Sequence, residues 1–298
     1  MRPVAPATRH SAQPRIHQQD VTFQNGSVTL AGTLYLPEIA QVAQRCPGVA
    51  LIHGSGDDTR ADYRIFAQHF AERGIATLIY DKRGVGASGG AWRSGSFTEL
   101  ASDALAGAHL LTQRSEIDPL RVGLWGCSEG GWVGPLAAVS SVVACFLVAI
   151  SPPGMSPAQQ EIYRRTLVVQ SASHSRLRRA WGMACMRWMF RLLRHTPSGL
   201  FPGIAGYFAR TMNFDPALVW KAMKQPALLV FGAADASAPA QESIHLIERA
   251  LQAGGNRDYT ILMFPDADHG IQRQDPATGQ RAFAPGYLDA VADWILAR

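Results

Sequence analysis

Ser128, Asp235 and His269 are residue types that together can carry out acyl transfer, and they stand far apart along the chain. Ser128 lies in "GCSEG", residues 126–130, a G-x-S-x-G pattern followed by another glycine, Gly131. A serine hydroxyl is a poor nucleophile unless a base takes its proton and a carboxylate orients that base. Glycines crowd a position where the backbone turns too sharply for a Cβ, or where another segment comes close. An ordinary turn could use the same residues, so the flanking elements must decide between the two readings.

Two alternating stretches come first, "VTFQN" and "SVTLAGTLYLP", parted by Gly26; they predict an antiparallel hairpin. From Gly48 onward, short apolar runs alternate with helical segments. The runs are "GVALIHG", "IATLIYD", "RVGLWG", "VVACFLVAIS", "ALLVFG" and "YTILMF". Rich in Val, Ile and Leu without alternation, they read as strands buried on both faces. Helix-period segments are expected over 62–73, 97–114, 129–140, 239–253 and 285–297. Strand–helix repetition predicts an α/β fold: a mostly parallel twisted sheet, an N-terminal antiparallel hairpin and helices on both faces.

No strand pattern appears between Ser151 and Gln225. Residues 153–225 are therefore expected to form a helical cap inserted into a core of 20–152 and 226–298, with 1–19 a loose tail. In "HSRLRRAWGMACMRWMFRLLRH", Leu177, Trp181, Ala184, Trp188 and Leu192 share one helical stripe, with Arg187, Arg191 and Arg194 elsewhere. That stripe could pack on the main domain, form a substrate lid or lie on a membrane surface. Packing on the main domain is the leading expectation.

Within this frame Ser128 occupies a strand–turn–helix junction, the setting of a nucleophile elbow. The helix behind it points its N-terminal dipole toward any developing negative charge. The acid and the histidine should follow in that order, each just past a strand end. Asp235 follows "LLVFG", and His269 follows "YTILMF". Asp266 and Asp268 compete as the acid, but a side chain adjacent in sequence to His269 usually diverges from it. An oxyanion needs two backbone donors: the amide of Glu129 is one candidate, and Ser55 or Gly54 in "LIHGSGDD" supplies the other, Ser55 being the choice. His53 is expected to fasten that loop, and Cys127 to be a buried neighbour.

The motifs "HGSG" (53–56), "YDKRGVGASGG" (80–90), "GCSEGG" (126–131), "FGAADASAP" (231–239) and "DADHG" (266–270) resemble the α/β-hydrolase superfamily, in its serine-esterase and serine-aminopeptidase-like branches. They cover the chain from about Val21 to its end, in the expected order. The resemblance implies a Ser128–Asp235–His269 hydrolase needing no cofactor and no metal, with the 80–90 loop structural. "SAP" stands where many relatives carry "x-V-P" after the acid.

Composition narrows the remaining classes. Apolar residues make up 47% and charged residues 17%, which argues against general disorder. The net charge of +5 comes from arginines gathered between Arg164 and Arg210, not from a basic face, so nucleic acid is not an expected partner. The four cysteines lack CxxC spacing, which argues against zinc. No run is long enough for a bilayer span and no signal-peptide pattern appears, so a cytoplasmic setting is expected. The expected reaction is hydrolysis of a small carboxylic ester. Amide or thioester cleavage on the same residues is the alternative, and a non-catalytic binding protein of the same fold is a weaker one.

Overall fold

A computed structural model describes residues 15–38, 44–172, 175–195, 200–201, 203–275 and 277–298. Its main sheet has eight strands: β1 (Ile16–Asn25), β2 (Val28–Pro37), β3 (Cys46–Ile52), β4 (Ala76–Tyr80), β5 (Ile117–Cys127), β6 (Leu147–Ile150), β7 (Ala227–Gly232) and β8 (Tyr259–Phe264). Their spatial order is β1-β2-β4-β3-β5-β6-β7-β8. β2 runs antiparallel to both β1 and β4, and every pairing from β4 through β8 is parallel. The α/β-hydrolase fold expected from the sequence is the fold observed.

Why these runs form strands is visible in their burial. Every residue of β3, β4, β6 and β7 is buried, as strands covered on both faces require. One face packs under α2 (Phe97–Thr112), α3 (Gly130–Ser140) and α8 (Ala240–Ala253), through residues such as Leu100, Val133 and Ile247. The other packs under α1 (Arg64–Glu72) and α9 (Tyr287–Leu296), through Phe70, Tyr287 and Val291. α2 starts at a capping box in which Ser96 accepts from the Thr98 amide and the Glu99 carboxylate receives the Ser96 amide.

Two boundaries differ from expectation. β1 begins at Ile16, so residues 16–19 belong to the sheet and not to a tail; they pair with residues 34–37 of β2. An edge strand can be mostly polar when backbone bonds hold it, which hid "IHQQ" from a reading based on apolar runs. Residues 1–14 of that expected tail lie outside the described residues. A second, two-stranded sheet, β9 (Gln272–Gln274) with β10 (Arg281–Phe283), departs from the expected pattern, because three-residue strands are too short to carry a periodic signal.

Between β6 and β7 the chain forms α4 (Pro157–Ala172), α5 (Arg176–His195), α6 (Gly203–Thr211) and α7 (Pro216–Ala222). The α5 stripe does not pack on the main domain. Leu177, Trp181 and Trp188 are 83%, 74% and 67% exposed, and Ala184 is exposed too. The helix buries Phe190 instead, in a small cluster with Met212 that Ile162, Met183 and Phe208 flank. Periodicity tells which residues share a helix face, not which way that face points. The side chains of Arg187, Leu192 and Arg194 lie outside the described residues.

Candidate active site

The turn after β5 puts Ser128 in the left-handed region, φ 55°. A non-glycine residue held there marks backbone strain, which concentrates at functional sites. Gly126 makes the turn feasible: a Cβ on it would lie 2.4 Å from the Gly130 carbonyl oxygen. The Ser128 amide donates to the Ile150 carbonyl at 3.0 Å, tying the turn to neighbouring β6. The side chain then sits at the N-terminal end of α3.

The loops after β7 and β8 are drawn together. Gly232 allows it, since a Cβ there would meet the Asp268 and Ala267 carbonyl oxygens at 2.2 and 2.3 Å. The Ala234 amide also donates to the Ala267 carbonyl at 2.9 Å. Asp235, its side chain only 1% exposed, accepts from the Ser237 and Ala238 amides through Oδ1, at 2.7 and 3.0 Å. Its Oδ2 lies 2.7 Å from His269 Nδ1, and His269 Nε2 lies 2.8 Å from Ser128 Oγ. The structure thus brings Ser128, Asp235 and His269 into one hydrogen-bonded line across 141 residues of sequence.

The competing carboxylate, Asp268, is turned to other work. Its Oδ1 accepts from the Gly270 and Gln272 amides at 2.9 and 3.1 Å, and its Oδ2 pairs with Arg281. Asp266 takes a left-handed backbone conformation in the turn after β8, φ 58°.

The loop after β3 approaches from the other side, with Gly54 beside Cys127 and Ser128. His53 lies 2.6 Å through Nε2 from the Tyr80 carbonyl; burial pulls its pKa down to about 4, so the neutral ring donates there. The Gly54 amide donates to the Tyr63 hydroxyl at 2.8 Å, and that hydroxyl donates to Asp58 at 2.8 Å. Of the two amides considered for this loop, Gly54 is therefore already engaged. Cys127, expected to be buried, is half-buried against the core on the α1 side of the sheet, and desolvation pushes its thiol up to about 12.

The Glu129 side chain is buried against Lys82, whose Nζ lies 2.7 Å from Oε1. Burial raises the Glu129 pKa despite that partner, which pulls the other way. Within the 80–90 loop, Arg83 grips Asp103 with both Nε and Nη2, at 2.7 and 2.6 Å. Lys82 and Tyr63 went unread in the sequence, because no spacing rule links them to residues 47 and nine positions away.

A cavity of about 520 Å³ reaches the two residues that flank this site, Ser55 and Glu129. Ser55 and Glu129 line it together with Phe97 and Trp132 from the core and Phe190 and Phe208 from the insertion. Among the described residues no group of acidic, histidine and cysteine side chains is arranged to hold a metal ion.

Comparison with known proteins agrees with the fold. Residues 49–279 match the alpha/beta hydrolase family, and the chain belongs to it. Esterase EstD of Thermotoga maritima is 25% identical over 296 residues, a match covering 92% of this chain and 68% of that protein. A polyketide transferase, grgF of a Penicillium species, is 29% identical over 167 residues; the match covers 55% of this chain and 54% of that protein. Among solved structures, the Pyrococcus furiosus esterase Pf2001 superposes with a TM-score of 0.63 at 18% identity, over 94% of this chain and 92% of that one.

Proposed function

We propose that this member of the alpha/beta hydrolase family is a serine carboxylesterase working through an acyl-enzyme on Ser128. One observation carries the reading: the unbroken path from Ser128 Oγ through His269 to Asp235, with contacts of 2.8 and 2.7 Å. His269 Nε2 takes the hydroxyl proton as Oγ attacks the ester carbonyl. Asp235 holds Nδ1–H and stabilises the imidazolium that forms. The oxyanion of the tetrahedral intermediate is bound by the Glu129 and Ser55 amides. The alcohol leaves with the proton from His269, and water, activated by the same ring, releases the acyl group and restores Ser128.

An ester is favoured over an amide or thioester by the esterase relatives, and an apolar acyl or alcohol group by the aromatic lining of the cavity. Residues 153–225 act as the cap over it. Burst kinetics with p-nitrophenyl esters from acetate to decanoate, and with a p-nitroanilide, test the reading. Turnover of short esters that disappears in Ser128→Ala, with folding intact, is expected. A Ser128→Ala enzyme that keeps substantial activity removes the mechanism, and cleavage of the anilide alone moves the reaction to amides.

A second reading adds a place of work. The exposed Leu177, Trp181 and Trp188 lie on a helix with six arginines and no acidic residue, which suits an anionic lipid surface. Salt-sensitive sedimentation with phosphatidylglycerol vesicles, lost in Trp181→Ser/Trp188→Ser, is the expected result. Binding that survives the double change takes the helix out of the argument. No helix among the described residues is long and apolar enough to cross a membrane.

A further inference from the structure

Lys82 takes no part in the path from Ser128 to Asp235, yet its ammonium is buried beside it. The side chain is 2% exposed, and its Nζ lies 4.4 Å from the centre of the Trp92 ring. Nζ donates to Glu129 Oε1 at 2.7 Å and to the Gly54 carbonyl at 2.9 Å. One partner, the Gly54 carbonyl, shares a peptide with the Ser55 N–H; the other is the side chain of Glu129, whose own amide is the second donor proposed above.

The Gly54 contact is the more telling. The Gly54 carbonyl and the Ser55 N–H are two ends of one planar peptide unit, and no peptide among the described residues is cis. They therefore point in opposite directions. Fastening the carbonyl to a buried cation fixes where the Ser55 N–H points. It also draws electron density toward the carbonyl oxygen, which makes the N–H a stronger donor, as in any polarised hydrogen-bond chain. The preceding peptide is held too, because the Gly54 N–H is engaged by Tyr63.

On its other side the same ammonium grips the Glu129 carboxylate, which restrains the side chain of the residue that supplies the second amide. Tyr207 of α6 closes the cluster. Its ring stands edge-on to Trp92 with centroids 4.8 Å apart, and its hydroxyl is buried near Glu129 without hydrogen-bond geometry. Burial first, and then the Glu129 charge, hold the phenol far above its ordinary pKa.

A buried ion pair is seldom a net gain in stability over apolar side chains of the same volume. We infer that Lys82 is a positioning residue that aims both oxyanion donors at once, and that the Lys82–Glu129 pair serves the transition state instead of the fold. The inference rests on the assignment of Ser55 and Glu129 amides as the oxyanion hole.

The test uses the full chain carrying Lys82→Met/Glu129→Gln, in which neither charge is left without its partner. The variant should melt within a few degrees of the parent and keep KM within about threefold. Its kcat should fall about 10²- to 10³-fold, the loss seen when an oxyanion donor is removed. A trifluoromethyl ketone, which Ser128 would convert into a tetrahedral oxyanion, should lose affinity by a similar factor. Glu129→Gln alone keeps the ammonium on Gly54 and should lose less than the double variant.

Three results overturn the inference: an unchanged kcat, a kcat loss without loss of ketone affinity, or a Glu129→Gln loss equal to that of the double variant. Should the double variant fail to fold, Glu129→Gln beside Lys82→Met decides by the same kcat and ketone readings. Ser128→Ala run in parallel separates the two levels. An inactive Ser128→Ala with a fully active Lys82 variant removes only the role of Lys82, whereas an active Ser128→Ala removes the mechanism itself.

Discussion

The strand-end site and the insertion between β6 and β7 invert the usual distribution of side chains. At the strand ends buried charges are matched, Lys82 with Glu129 and Arg83 with Asp103, and the buried Asp235 carboxylate is hydrogen-bonded by His269. In the insertion the apolar residues Leu177, Trp181 and Trp188 face solvent, while Glu161 pairs with Arg164 and Arg165, both more than half exposed. Buried charges are expensive and hold only in one geometry, so the first region is built for fixed placement. The second is anchored in the main core by Tyr207 and Trp220, carries a small cluster of its own around Phe190 and Met212, and offers surface on α5.

The comparison can be broken most sharply at the acid. Asp235→Asn should lower kcat by about 10⁴ through loss of the orienting carboxylate, whereas Asp268→Asn should cost less than tenfold. Steady-state ester hydrolysis by both variants decides, and the reverse ranking would make Asp268 the acid.

Stability sharpens the same contrast. Arg83→Met leaves Asp103 buried without its bidentate partner and should cost about 3–5 kcal/mol in urea unfolding. Glu161→Gln, which removes an exposed pairing in the insertion, should stay within about 1 kcal/mol. Equal losses would mean that the two regions are not held differently.

A pH effect of similar or smaller size comes from His53. Its folded pKa is lowered from 6.5 to about 4, so the unfolded chain binds the proton more readily. The stability that the neutral ring contributes is complete above pH 6.5 and is lost as pH falls toward 4, on the order of 3 kcal/mol. His53→Asn should flatten the unfolding free energy across that window; an unchanged acid slope would place its origin elsewhere.

Least in energy, but easy to read, is thiol chemistry. With its thiol pushed up to about 12, Cys127 should resist iodoacetamide at pH 7.5, where the exposed Cys185 of the insertion is labelled first. Peptide mass spectrometry gives the order, and labelling of Cys127 as early as Cys185 would mean that its thiol is not held protonated.

The strands and most core helices were legible because burial on both faces demands unbroken apolar runs, as in β3 and β7, and an amphipathic helix such as α8 repeats its apolar residues every three or four positions. The placement of Ser128, Asp235 and His269 just past strand ends, where a parallel sheet gathers its loops, was legible from the apolar runs before them. β1 was read short, since an edge strand held by backbone bonds can be polar. The α5 stripe was read correctly as a stripe and wrongly as a buried face.

What the sequence by itself determined is the alternation of strands and helices, and with it the chain order of the candidate residues at the strand ends. That information is local: period, apolar runs and glycines where a turn must tighten. Tertiary structure alone decided that Gly54 spends its amide on Tyr63 and that Lys82 spans Gly54 and Glu129. Each of these depends on how a side chain is aimed across a gap between loops, and such contacts join residues whose separation along the chain follows no period.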